Sequence, residues 1–174
     1  VSLSIDIPPG ITLDSYPGPY SQVLINLILN AVRHGFPEGR SGWISLRARL
    51  SGNDQVEIVV TDHGVGMSEE VQRQAFDPFF TTLRGQGGTG LGLHIVYNLV
   101  THQLGGRIEL ASAPGGGTIL RIVIPPSAPQ GRVPDGHGGL VMKTHMARWL
   151  PVCALAGAAL LAPSASAERN SVVD

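Results

Sequence analysis

Apolar and polar residues alternate along several stretches of the chain, which is the pattern of half-buried β-strands. Residues 1–7 show it first and are followed by two prolines and a glycine that end the strand. Residues 44–50 and 55–61 repeat it on either side of the turn sequence S-G-N-D. Residues 107–112 and 118–124 repeat it around A-P-G-G-G. The sequence therefore predicts one strand followed, later in the chain, by two β-hairpins.

Helical patterns lie between these predicted strands. Residues 20–34 predict a long helix, because Pro19 suits a first helical turn and Gly35 suits a helix stop. Ser68 is a candidate N-cap for a short helix that runs to about Ala75. A third helix follows a glycine-rich stretch and ends at the Gly-Gly pair before the second hairpin. Five strands mixed with two long helices predict an α/β fold, in which helices cover one face of a sheet.

Composition divides the chain into three parts. Residues 1–126 carry the predicted elements and suffice for one domain, and residues 127–141 are rich in Pro and Gly and are interpreted as a linker. Residues 142–174 have the layout of a signal peptide: Lys143 and Arg148 precede a short apolar run and an Ala-Ser-Ala motif. Our hypothesis is a separate exported protein whose frame has been joined to this one, and the alternative is an accidental alanine-rich tail. Either way we expect this segment to be disordered and not to join the core of the domain.

Charge and cysteine content exclude several classes of function. The 174 residues carry a formal net charge of −1 and no Lys/Arg run, which argues against a protein that binds nucleic acid by neutralising its phosphates. A single cysteine excludes an internal disulfide and a multi-cysteine metal site. The 6 histidines lack any metal-ligand spacing. The apolar run in the tail is too short to span a membrane.

Polar residues recur along one stripe of the first predicted helix. Gln22 and Asn26 are followed on it by Asn30 and Arg33, whereas the residues between them are apolar and demand burial. One interpretation is a solvated face, although such a face normally collects Lys and Glu. The other is a binding site, because amide oxygens suit Mg²⁺ when a phosphate supplies the negative charge. The sequence leaves both open.

A second cluster follows the strand at 55–61. Asp62 stands at the exit of this apolar run, and Gly64 and Gly66 come directly after it. The pattern is typical of a tight turn, which is one interpretation. The other is a carboxylate that accepts a hydrogen bond from the exocyclic amino group of adenine, worth about 1.5–3 kcal/mol.

Residues 85–92 contain five glycines directly before a strongly apolar helix that begins near Leu91. Backbone N–H groups of such a loop surround an anion, and the helix directs its positive end to the same place, so we predict a polyphosphate site. A flexible surface loop is the alternative, but it leaves unexplained why the helix begins without a spacer. The loop does not follow a strand, which argues against a dinucleotide fold, and no lysine precedes Lys143, which excludes Walker A and protein-kinase loops.

Five segments bring these clusters into a fixed order: 22–35 (QVLINLILNAVRHG), 62–67 (DHGVGM), 76–82 (FDPFFTT), 87–93 (GGTGLGL) and 114–118 (PGGGT). They resemble the N, G1, F, G2 and G3 boxes of the catalytic and ATP-binding domain of sensor histidine kinases, in the GHKL superfamily with gyrase and MutL. The resemblance extends over residues 1–126. It implies a two-layer α/β sandwich, the Bergerat fold, with a mixed and mostly antiparallel sheet and helices on one face.

The resemblance also implies ATP and Mg²⁺ as ligands, bound under a mobile lid at residues 67–88. Asn30 would be the Mg²⁺ ligand, Asn26 its neighbour, Asp62 the adenine reader and Thr118 a residue near the base. The residues expected to shape the rest of the nucleotide pocket are Gly64, Gly66, Phe80, Gly88, Thr89, Gly90, Leu91 and Gly92.

Two arginines are candidates for offsetting charge on the transferring phosphoryl group. They are Arg33 and, on the lid, Arg84, and either could equally be a solvated surface residue. Asn26 stands where ATP-hydrolysing members of the superfamily carry a glutamate, so attack by water should be slow and the phosphate is better reserved for an acceptor imidazole.

No histidine of the chain has the sequence context of the family's phosphoacceptor. We therefore expect the acceptor to lie on dimerisation helices, upstream or in trans, with a response regulator downstream and a homodimer as the intact kinase. The expected location is the cytoplasm, with any membrane anchor in segments outside this chain, and we expect neither nucleic acid nor membrane as a partner of the domain. The alternatives are a stand-alone serine kinase of the anti-sigma-factor type and a module that binds ATP as a signal.

Overall fold

A computed structural model describes residues 1–85, 87–129 and 142–145 of the protein. Seven strands lie in these ranges: β1 (Ser2–Asp6), β2 (Thr12–Ser15), β3 (Trp43–Leu50), β4 (Val56–Asp62), β5 (Arg107–Ser112), β6 (Thr118–Ile124) and β7 (Met142–His145). The main sheet has the strand order β1-β3-β4-β6-β5. In it β1 runs parallel to β3, and every other neighbouring pair is antiparallel. The five predicted strands and the mixed, mostly antiparallel sheet are confirmed.

Three α-helices accompany the sheet: α1 (Pro17–Asn30), α2 (Glu69–Gln74) and α3 (Gly92–Asn98). A π-helical turn extends α1 over Ala31–Gly35, and another extends α3 over Leu99–Gln103. Helix α1 begins at Pro17, earlier than predicted, because two prolines fit the first helical turn, where no intrahelical N–H bond is required. Ser68 caps α2 as predicted, since its hydroxyl accepts from the backbone N–H of Val71.

The hydrophobic core lies between the sheet and the two longer helices. Every second residue of β4 is buried, which is the alternation seen in the sequence. Leu24 and Leu27 of α1 and Val96 of α3 are fully buried among these strand residues. Burying such a side chain contributes about 1.5–3 kcal/mol, so this layer holds α1 and α3 against the sheet and beside each other.

A second sheet of two strands was not predicted. In it β2 pairs antiparallel with β7, from Thr12 opposite His145 to Ser15 opposite Met142. Residues 142–145, the first four of the segment that we expected to be disordered, thus form a strand paired with β2. Residues 146–174, including the predicted signal-peptide motif and its predicted disorder, lie outside the described residues.

The first residues of the predicted linker also contact the domain. The backbone N–H of Asp14 donates to the carbonyl of Pro126 at 2.8 Å, and Ala128 donates to the carbonyl of Asp14 at 2.8 Å. Ala128 is buried. Residues 130–141 are outside the described part of the chain.

Candidate functional site

A cavity of about 510 Å³ opens between α1, α3 and the adjoining ends of β4 and β6. Most of the predicted site residues line it: Asn26, Asn30, Arg33, Asp62, Gly66, Phe80, Gly88, Thr89, Gly90, Leu91, Gly92 and Thr118. The fold therefore brings the three sequence clusters together around one space.

Several polar or glycine positions singled out in the sequence do not line the cavity, including Gly85 and Gly87 of the glycine-rich stretch. Gly64 stands behind the cavity wall, where a Cβ would collide with the carbonyl of Gly35, so its small size serves packing. Arg84 and Gln22 are exposed and do not line the cavity. Asn26, Asn30 and Arg33 thus face the cavity, while Gln22, at the start of the same stripe, faces solvent.

The two asparagines of α1 carry buried amide nitrogens. The Nδ2 atoms of Asn26 and Asn30 have no hydrogen-bond partner. Leaving a buried polar group unpaired costs about 1–3 kcal/mol, so the fold retains these groups at a cost in stability. Their position, one helical turn apart on the wall of a cavity, favours the binding-site interpretation of the stripe.

Asp62 closes the other end of the cavity. Its side chain is buried, and Oδ1 accepts from the backbone N–H of Gly64 at 2.9 Å. Thr118 lies opposite it in the β4–β6 register and hydrogen-bonds to its carboxylate. Burial raises the pKa of Asp62, against the opposing effect of hydrogen bonds from Gly64 and Thr118 and of the nearby His63. A rigidly held acceptor in a partly apolar pocket results.

Glycines let backbone segments approach each other around the cavity. At Gly90, which has φ +69°, a Cβ would collide with the backbone of Phe79, and the N–H of Phe79 donates to the carbonyl of Gly90 at 2.9 Å. At Gly92 a Cβ would lie 3.0 Å from Oδ1 of Asn30. The start of α3 is thereby placed directly beside the amides of α1.

The F-box phenylalanines have three different surroundings. Phe80 lines the cavity. Phe76 packs at 5.7 Å, centroid to centroid, from the ring of Tyr97 on α3. Phe79 is 66% exposed and has φ +65°, which is rare for a residue with a side chain, so it is not an ordinary core residue.

His34 is a lining residue that sequence reasoning missed. Its Nδ1 lies 2.9 Å from the hydroxyl of Thr82, which also lines the cavity. Burial lowers the pKa of His34, and the charge of Arg33 lowers it further. Its signal in the sequence was its place directly after the polar stripe, inside the segment that resembles the N box.

Apolar residues complete the wall near Asp62. Val60 of β4, Leu120 of β6 and Val71 of α2 line the cavity there. In the sequence each has the pattern of an ordinary core residue. Nothing in the sequence indicates that these residues also line the cavity. An apolar wall beside one fixed carboxylate suits a flat heterocycle that carries an amino group.

These features coincide with one sequence family. The family described as histidine kinase-, DNA gyrase B-, and HSP90-like ATPase matches residues 17–128, which contain every lining residue discussed above. The chain belongs to this family. The resemblance stated from the five boxes is confirmed.

Two similar proteins are named as sensor kinases. Sensor histidine kinase ZraS of Salmonella typhimurium is 44% identical over 114 residues, which cover 66% of this chain and 23% of that protein. Sensor kinase CckA of Brucella abortus is 38% identical over 132 residues, which cover 68% of this chain and 14% of that protein. The chain thus spans a quarter or less of the length of these relatives.

Solved structures share the fold. The catalytic domain of histidine kinase ThkA has a TM-score of 0.62 at 28% identity, covering 72% of this chain and 79% of that one. Full-length ShkA in complex with AMPPNP has a TM-score of 0.55 at 25% identity, covering 71% of this chain and 25% of that one. The predicted α/β fold with helices on one face of the sheet is confirmed. Among the described residues, no helix combines the length and apolarity that crossing a membrane requires.

Proposed function

We propose that the domain binds Mg-ATP in the cavity and donates the γ-phosphate to a histidine on dimerisation helices, which are supplied upstream or in trans. The observation that carries the proposal is the buried, unpartnered amide pair Asn26 and Asn30, which shares one cavity with the buried carboxylate of Asp62. The amides suit the phosphate end of a nucleotide, and the carboxylate suits the base.

The base end of the cavity favours adenine. The exocyclic amino group of adenine donates to a carboxylate such as Asp62, whereas guanine presents a carbonyl oxygen at the same position, and two acceptors repel. Val60 and Leu120 supply apolar surface for the ring. The similar protein ShkA was solved with AMPPNP, an adenine nucleotide, which supports this choice.

The amide pair fits Mg²⁺ together with phosphate. Each asparagine offers a carbonyl oxygen to a hard cation and an amide nitrogen to a phosphate oxygen, and the Nδ2 atoms of Asn26 and Asn30 are unpaired donors. We assign Asn30 as the metal ligand, because its amide lies beside the start of α3, and Asn26 as its neighbour. The cation, when bound, would offset negative charge on the phosphate oxygens.

The phosphate end combines backbone and cationic groups. Gly88, Thr89, Gly90, Leu91 and Gly92 line the cavity where the loop enters α3, and their backbone positions suit an anion. Arg33 lines the same space and is the better placed of the two arginines to offset charge on the transferring group, since Arg84 lies outside the lining. Transfer of this kind depends on positioning and charge more than on covalent assistance.

Three candidate functions differ in what accepts the γ-phosphate: a histidine, a serine, or no acceptor at all. Asn26 cannot act as a general base, which disfavours attack by water and favours an imidazole acceptor. A serine acceptor or a purely ATP-sensing role would use the same cavity. The proposal includes a homodimeric intact kinase, a response regulator as the later phosphate recipient, and a domain that works in the cytoplasm.

Labelled ATP tests the proposal. The chain is incubated with Mg²⁺, γ-labelled ATP and the dimerisation helices as a separate polypeptide. We expect label on the helices that is lost in acid and retained in alkali, as for phosphohistidine, and we expect the exposed-amide control Gln22→Ala to behave as wild type while Asn30→Ala is inactive. Acid-stable label would favour the serine kinase, and binding without transfer would favour the sensing module.

A further inference from the structure

Ser112, the last residue of β5, does not line the cavity but is hydrogen-bonded to Met67, which does. Its hydroxyl accepts from the backbone N–H of Met67 at 2.8 Å and donates to the carbonyl of Gly117 at 2.6 Å. The same oxygen lies 3.2 Å from the hydroxyl of Thr118. One side chain therefore joins the turn after β4 to the turn before β6.

Gln72 of α2 adds two bonds to the same junction. Its Nε2 donates to the carbonyl of Met67 at 3.1 Å and to the carbonyl of Ser112 at 2.9 Å. Both backbone groups of Met67 are thus held by side chains. Helix α2, the turn after β4 and the end of β5 form one hydrogen-bonded unit.

The two joined turns touch through bare backbone. Gly66 has φ +67°, and a Cβ there would collide with the carbonyl of Ala113. A Cβ at Gly117 would collide with the carbonyl of Asp62. The N–H of Gly115 donates to the carbonyl of Val65 at 2.7 Å. The position of one turn therefore restricts the position of the other.

We propose that Ser112 is a positioning residue that sets the selectivity of the pocket for adenine over guanine. It holds Met67 on one side and Gly117, directly before Thr118, on the other, and Thr118 is hydrogen-bonded to the carboxylate of Asp62. The distance between the Asp62 carboxylate and the turn that contains Met67 determines whether a base can donate to Asp62 and still fit against the apolar wall of the cavity. This inference rests on the proposed function and names the residue that enforces its base preference.

Removing the hydroxyl changes selectivity more than general binding. In Ser112→Ala the N–H of Met67 and the carbonyl of Gly117 lose their shared partner, and the two turns relax relative to each other. Contacts with the triphosphate come from α1 and the loop before α3, which Ser112 does not touch. A merely destabilised domain would bind both nucleotides less well by the same factor, so the ratio of affinities separates the two effects.

The test uses the full 174-residue chain. Dissociation constants of adenylyl and guanylyl imidodiphosphate are measured by calorimetry with MgCl₂. We expect wild type to prefer the adenine nucleotide and Ser112→Ala to lose about tenfold of that preference, the effect of one hydrogen bond. Thr101→Val is the matched control, because the Thr101 hydroxyl donates to the carbonyl of Tyr97 at 2.7 Å, and neither residue lines the cavity. The ratio of the two dissociation constants in Thr101→Val should equal that of wild type.

Hydrogen exchange of the Met67 amide gives a second readout, and it should rise in Ser112→Ala and stay unchanged in Thr101→Val. If Ser112→Ala does not fold, Gln72→Ala replaces it, with a smaller loss of preference expected. An unchanged ratio in the variant overturns the role of Ser112 while the proposed function stands. A wild type without base preference overturns both the role of Ser112 and the adenine preference assigned to Asp62, and leaves nucleotide binding and phosphoryl transfer to the labelling experiment. A folded wild type that binds neither nucleotide overturns the proposed function as well.

Discussion

Gly92, at the start of α3, lies directly against the side-chain amide of Asn30 at the end of α1. A Cβ at residue 92 would stand 3.0 Å from Oδ1 of Asn30 and 3.1 Å from Nδ2. Real Cβ contacts are rarely this close, so even one methyl group has to displace the amide. The glycine of the loop and the asparagine of the helix therefore constitute one structural unit at the phosphate end of the cavity.

Gly92→Ala should weaken binding of Mg-ATP by about tenfold or more, because the amide of Asn30 must move away from its position. Calorimetry with adenylyl imidodiphosphate measures the effect. The control is Gly52→Ala in the turn between β3 and β4, where a Cβ meets nothing within 4 Å and φ is not positive. Wild-type affinity in Gly92→Ala would show that the position of this amide does not matter to the nucleotide.

Asn30→Ala should abolish the difference between nucleotide affinity in Mg²⁺ and in EDTA. Thermal unfolding of the same variant should show no loss of stability, because the substitution removes a buried amide nitrogen that has no partner. Gln22→Ala, one step of the same stripe but exposed, should retain full Mg²⁺ dependence. A variant that binds Mg-ATP as tightly as wild type would remove the metal assignment.

Asp62→Asn should stabilise the ligand-free domain at neutral pH and weaken its binding of adenine nucleotides. Burial raises the pKa of Asp62 above 3.8, so the folded state holds a proton that the unfolded chain has already released. The free energy of unfolding of wild type therefore falls as pH rises through the window above 3.8, and the variant lacks this fall. Denaturant unfolding at several pH values measures the difference.

The matched control for that experiment is Asp54→Asn, in the exposed turn before β4, where asparagine tolerates the positive φ of 58°. It should leave nucleotide affinity unchanged. If wild type and Asp62→Asn differ by a constant amount at all pH values, titration of Asp62 does not contribute.

His34→Gln should flatten the pH dependence of stability on the acidic side of neutrality. Burial and Arg33 lower the pKa of His34 below 6.5, so the unfolded chain binds more protons in the window beneath that value. Stability that is fully present above pH 6.5 is then lost as pH falls through this window. Glutamine can still bond to Thr82 but does not titrate. Urea midpoints from pH 5 to 7.5 test the prediction, and parallel curves for the two proteins would contradict it.

The sheet and its helices were predictable because the apolar residues of each strand and helix recur at a spacing typical of that element. In β4 the buried residues Val56, Ile58 and Val60 alternate with less buried ones, and α1 begins with prolines in its first turn and continues as a π-helical turn to Gly35. The small sheet was not predictable, because Thr12–Ser15 is too short for a period and its partner Met142–His145 is remote in sequence. Pairings of that kind depend on tertiary contacts that a local pattern does not contain.

The cavity residues were predictable where chemistry required an unusual residue. Asn26 and Asn30 stand out because amides interrupt an apolar helix, and Asp62 because a carboxylate ends an apolar strand. Gly64 was predicted to shape the pocket but does not line it. A glycine needed for packing and one needed beside a ligand look identical in sequence. Ser112 could not be predicted, because its partners become visible only when the two turns are placed side by side.

The walls of the cavity come from four segments that are far apart in the sequence: α1, the end of β4, the start of α3 and the start of β6. Only the folded domain brings these segments together. A nucleotide can therefore engage only the fully folded domain and has no comparable site on the unfolded chain. By mass action, a ligand at a hundred times its dissociation constant would then add about 2.7 kcal/mol to the unfolding free energy. Cellular nucleotide supply would in this way set how long the domain survives proteolysis as well as whether it is active.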